Sequence, residues 1–125
     1  MHRTLSRRGV RLRCVDLAAF RMQTLLVGVS TYVVVLSGEL DGDAGARLAG
    51  ELERLQGTRV VIDMIDVTFA DARSLEVVTR ATLRSSLTVV AERGRFRTLE
   101  LAAADGALDL QRSLHDAVAD AVTLM

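Results

Sequence analysis

The chain has 125 residues, half of them hydrophobic, which suits one domain with a core that needs neither disulfides nor metals. Its single cysteine, Cys14, excludes an internal disulfide and fits a reducing compartment; His2 and His115 lie far apart, with no Cys/His cluster at metal-ligand spacing. Net charge is zero but unevenly spread: residues 1–21 carry six arginines against one aspartate, and residues 22–125 carry ten arginines against fifteen acids.

Residues 1–21 read as an arginine-rich, flexible N-terminal extension, irregular through residue 20. The domain proper is expected over 22–125. Residues 22–27 and 31–36, rich in Leu and Val, read as two strands of a hairpin turned by Gly28, Val29 and Ser30. Asp41 or Asp43 can cap a helix running to about Gln56, because Ala44, Leu48, Leu52 and Leu55 recur at helical spacing; Arg47, Glu51, Glu53 and Arg54 fall largely off that stripe. Gly57 ends the helix. Residues 58–63 follow as a strand, and the consecutive Val60, Val61 and Ile62 imply burial on both faces.

After a short acidic link and Val67-Thr68-Phe69, Asp71 caps a helix over about 72–83, where Leu75, Val78 and Thr82 share a face. A strand over 87–91, a turn at Arg93-Gly94-Arg95 and a helix bearing Phe96, Leu99 and Ala103 come next. Residues 107–110 read as a short edge strand. Ser113 caps a last helix whose stripe is Leu114, Ala117, Val118, Ala121 and Val122. The order β-β-α-β-α-β-α-β-α implies an α/β domain with a mixed sheet and helices packed on it.

The most apolar long window, 22–36, is broken by Gln23, Thr24, Ser30 and Thr31 and falls short of the roughly 20 residues a membrane helix needs. No membrane span is expected, and Asp16 interrupts the only candidate for a secretory signal, so the expected compartment is the cytoplasm. Enzyme chemistry finds no positioned base and nucleophile. His115, near Asp116, reads as a surface or half-buried histidine. Gly38, Gly42 and Gly45 do not make a P-loop, which needs a lysine this chain lacks. Nucleic-acid binding would rest on the arginine lead alone, because three Phe and one Tyr make no stacking platform.

Three stretches carry a family resemblance: VVVLSGELD at 33–41, VVIDMIDVTFADARSL at 60–75, and RTLELAAADGALDLQRSLHDAV at 97–118, with RLAGELERL between the first two. In order and spacing the chain resembles the STAS domain, of the anti-sigma-factor-antagonist type, over roughly residues 22–122. The resemblance implies a mixed sheet of about five strands with about four helices, no enzymatic activity and no cofactor. It further implies a bacterial regulator of transcription that binds an anti-sigma factor, a serine kinase, as protein partner.

In the family's bacterial antagonists the turn before the second helix usually reads Asp-Ser-Ser-Gly, and the partner kinase phosphorylates its first serine. Here the same positions read Asp71-Ala72-Arg73-Ser74. Ala72 has no hydroxyl and is not a phosphorylation site. The domain then either binds its partner constitutively, uses Ser74 as a displaced acceptor, or serves as a scaffold. Only sixteen residues separate Asp71 from Leu87, several fewer than the family leads one to expect. The expected partner surface comprises Glu39, Asp41, Thr68, Asp71, Ala72, Arg73, Ser74, Glu76, Val77 and Arg80, with the loops at 39–43 and 68–74 at one end of the sheet because both follow strands leaving in the same sense. Phe69 is either an apolar anchor there or, more in keeping with its type, a core residue. Two other functions stay open: an accessory STAS subunit of a lipid-transport ABC system, and a small-ligand or nucleotide sensor.

Overall fold

The structure, a computed structural model, describes residues 10–83 and 85–123. Its elements run β1 (Val10–Leu17), β2 (Phe20–Val27), β3 (Thr31–Leu40), α1 (Gly42–Arg54), β4 (Arg59–Ala70), α2 (Ala72–Ala81), β5 (Ser86–Val90), α3 (Arg97–Ala104), β6 (Asp109–Gln111) and α4 (Leu114–Thr123). The six strands form one sheet whose spatial order is the chain order. β1, β2 and β3 pair antiparallel, and β3, β4, β5 and β6 pair parallel.

That order follows from the connections. Tight turns at 18–19 and 28–30 return the chain antiparallel. Each later strand is reached through a helix, and crossovers of one hand step across the sheet on one face. Thus α1, α2 and α3 cover a single side, where Leu48, Leu52, Val78 and Leu99 meet Val34, Leu36, Ile62, Met64 and Val89. α4 takes the other side and sets Ala117 and Ala121 on Val33, Val61 and Val90. β4 is therefore buried on both faces, as its unbroken apolar run predicts.

The arginine-rich lead required correction. Residues 10–17 are not an irregular extension but an edge strand paired to β2 from Leu17 opposite Phe20 to Val10 opposite Leu26, which makes six strands instead of about five. The rest of the expected extension, residues 1–9, lies outside the described residues. Two lead arginines are engaged within the domain: Arg21 with Asp16 at 2.7 Å, and Arg13 with Glu51 at 3.2 Å. Glu51 itself, expected off the apolar stripe, is 3% exposed. It accepts from the Thr24 hydroxyl at 2.6 Å and lies 3.1 Å from Arg54, so its charge is buried with partners on three sides. Arg13 thereby ties the edge strand to α1.

The acidic link after Asp63 is also strand: β4 runs through Asp66 to Ala70. It carries two extra residues relative to β3, since the register slips once between the Val35–Asp63 and Ser37–Asp66 pairs and again between Gly38–Val67 and Glu39–Phe69. Bulges of this kind commonly sit beside functional sites, where they re-aim the chain.

Candidate functional site

The ends of β3 and β4 leave the sheet together. Glu39 is opposite Phe69 and Leu40 opposite Ala70, and the Asp71 N–H donates to the Leu40 carbonyl at 3.2 Å. The loops at 39–43 and 68–74 therefore lie at one end of the sheet. Asp71 sits at the N-cap of α2 in extended conformation, and its Oδ1 accepts from the Ser74 N–H at 2.8 Å. Hydrogen bonds from the Ser74 hydroxyl and N–H, with the charge of Arg73, hold its carboxyl below the usual carboxylate range. Asp41 occupies the corresponding N-cap position of α1 without a side-chain bond; Asp43 stands in the first turn.

Of the residues expected at this surface, Glu39, Asp41, Thr68, Ala72, Arg73, Glu76 and Arg80 are exposed, and Asp71 and Val77 are half-buried. Glu76 and Arg80 pair along the outer face of α2 at 3.7 Å. Val77 and Arg80 also line a groove of about 180 Å³ between α2 and α1, with Ala49, Leu52, Glu53 and Ala81 as the other walls.

Two residues depart from expectation. Phe69 is 53% exposed and not part of the core. It lies beyond the last β4–β5 pair, Asp63 with Val90, and opposite the exposed Glu39. Ser74 is 2% exposed and faces α1: a Cβ built on Gly45 would stand 2.5 Å from its Oγ. It is a packing residue between two helices, without the exposed hydroxyl that an acceptor of phosphate needs in the folded chain.

Sequence reading missed Arg95, taken there only as part of a turn. Its Nη2 donates to the Val67 carbonyl at 2.5 Å, immediately before the exposed 68–70 segment. No periodic pattern marks such a contact, because Arg95 lies in a turn and its partner is a backbone atom of a distant strand. Asp63, in the same strand, is pushed above the usual carboxylate range, chiefly by burial and in a lesser degree by the charge of Asp66, although its Oδ1 accepts from the Ile65 N–H at 3.0 Å.

No family profile and no curated protein matches the chain. Solved structures do. An anti-sigma factor antagonist from Mycobacterium paratuberculosis superposes with a TM-score of 0.69 over 82% of this chain and 94% of that one, at 21% identity. The anti-sigma factor antagonist SpoIIAA in its unphosphorylated form superposes with a TM-score of 0.64 over 83% of this chain and 99% of that one, at 17% identity. The chain has the anti-sigma factor antagonist fold. At these identities the likeness is one of architecture, and it takes in nearly the whole of both neighbours. Among the described residues no helix is long and apolar enough to cross a membrane.

Proposed function

We propose that this chain is a cytoplasmic, bacterial anti-sigma factor antagonist that works by docking on its partner, and that it carries no phosphoryl switch at the α2 turn. The fold shared with two anti-sigma factor antagonists supports the first part. What supports the second is Ala72: it is the first residue of α2 and exposed, and by the sequence resemblance it falls where the bacterial antagonists bear the acceptor serine. Ser74 does not replace that serine, because it is enclosed against Gly45. The partner surface is formed by Glu39, Asp41, Thr68, Phe69, Asp71, Ala72, Arg73, Glu76, Val77 and Arg80, with Phe69 as its apolar centre. Exposed aromatic side chains are enriched at protein interfaces, where a partner's pocket can bury them.

The test is affinity capture from lysate of the source cell with the full chain as bait, followed by titration of the captured protein. Recovery of an anti-sigma factor, with an affinity that Phe69→Ala reduces and that prior incubation with ATP leaves unchanged, is the expected result. Recovery of transporter subunits instead would replace the reading with the accessory-subunit one.

A further inference from the structure

Strand β4 outruns its neighbour. β5 pairs with it only as far as Asp63, opposite Val90, whereas β4 continues to Ala70. Over those last residues β3 flanks one edge, and among the described residues no strand flanks the other. Such an edge leaves unpaired donors and acceptors, and side chains take two of them here. Asp63 Oδ1 accepts from the Ile65 N–H, and Arg95 donates to the Val67 carbonyl.

The second bond stands at a critical place. The register slip between Gly38–Val67 and Glu39–Phe69 leaves Thr68 without a partner on β3, so the ladder loosens where the exposed segment begins. Arg95 holds the carbonyl just before that point. Its guanidinium lies 5.3 Å from the ring centre of Phe96, which is anchored in the core at 7% exposed, and 3.7 Å from the exposed Glu92. A planar fork stacked over a core ring loses little freedom when it makes its hydrogen bond.

We infer that Arg95 is the positioning residue of the docking surface: through the Val67 carbonyl it sets the path of residues 68–71 and hence the presentation of Phe69 and the start of α2. Its consequence for docking rests on the proposed function. The latch itself does not, so it can fail or stand separately from that reading.

The test is amide hydrogen exchange on the full chain, with no partner present, comparing wild type with Arg95→Leu and Arg95→Lys. A charge-assisted bond of this kind protects by about tenfold or more in local opening. Arg95→Leu should speed exchange across residues 68–71 by about that factor while peptides from β2 and α1 keep their rates. Arg95→Lys retains one donor for the carbonyl and should recover most of the protection. Exchange at 68–71 that is unchanged in Arg95→Leu overturns the inference, as does acceleration spread evenly over the chain. Equal exchange in the Lys and Leu variants overturns it too, because the hydrogen bond would then not be what holds the segment.

Discussion

Two aspartates eight residues apart, Asp63 on β4 and Asp71 at its exit, respond to pH in opposite senses. Asp71 accepts the Ser74 N–H and hydroxyl, and its carboxyl is held below the usual range. A depressed folded value means that its stabilisation is complete above the unfolded carboxylate value of about 3.9 and is lost as pH falls through the folded one. Asp71→Ala should therefore melt below wild type at pH 7, with the gap closing under acid; Asp71→Asn keeps an acceptor and should lie between them. Melting temperature followed against pH reads all three. Asp63 is raised by burial, so folding disfavours its ionised form. That penalty is absent below about pH 3.9 and grows as pH rises to the folded value, above which it is complete. Asp63→Asn preserves an acceptor for the Ile65 N–H and removes the charge, so it should melt above wild type at pH 7 and lose that advantage below about pH 3.9. The cap at Asp71 was legible in the sequence because capping is local chemistry. The burial of Ser74 and the exposure of Phe69 were not. Each depends on what stands opposite: Gly45 for Ser74, and the early end of β5 for Phe69.

Between elements, the α1–α2 contact helps to place the helix that carries much of the proposed docking face. Gly45 and Ser74 meet so closely that an added Cβ would come within 2.5 Å of Ser74 Oγ, a short side chain that is itself enclosed. Alanine in a helix is favoured over glycine by about 0.5–1 kcal/mol, but overpacking a tight contact costs about 1–3 kcal/mol. Gly45→Ala should thus destabilise on balance. Removing the hydroxyl with Ser74→Ala leaves Ser74 Cβ as the nearest atom at 3.4 Å, so in that background Gly45→Ala should be neutral or stabilising. A double-mutant cycle by chemical denaturation isolates the coupling from the bond that Ser74→Ala loses to Asp71. The helices and parallel strands were legible because their apolar spacing is periodic. β1 was not, although Val10, Leu12, Cys14, Val15 and Leu17 are interleaved with polar residues. A register shift between Arg11 and Arg13 breaks the alternation, and the arginines read as a solvated lead. Arg13 on that strand is nonetheless engaged, through its salt bridge to buried Glu51.

At the scale of the whole molecule, the hairpin and the βα alternation together specify a sheet that is antiparallel at one side and parallel at the other, and a parallel pair necessarily sends both of its strands out at one pole. That is why the ends of β3 and β4, and with them Glu39, Asp41, Phe69 and Ala72, gather there. The helix pattern foretold this pole; the extra length of β4, disguised by Asp63 and Asp66, did not show until the fold was in hand. Ala72 stands at the N-terminus of α2, between Asp71 and Arg73. The helix dipole and Arg73 favour a dianion there, whereas the ionised Asp71 carboxylate next to it opposes one. A phosphate would put about −1.5 to −2 charges into the proposed docking surface, which already carries Glu39, Asp41, Asp71 and Glu76. Ala72→Ser itself adds only a hydroxyl to an exposed helix start, so it should fold with an unchanged melting temperature and bind the proposed anti-sigma factor partner as wild type does. Incubated with that partner and ATP, the variant should gain one phosphoryl group by intact mass and lose affinity by about tenfold or more in calorimetric titration, while wild type changes in neither respect. A variant that binds normally yet is never phosphorylated would mean that the proposed partner does not act as a kinase on the α2 turn, and the reading of Ala72 as the missing acceptor would fall.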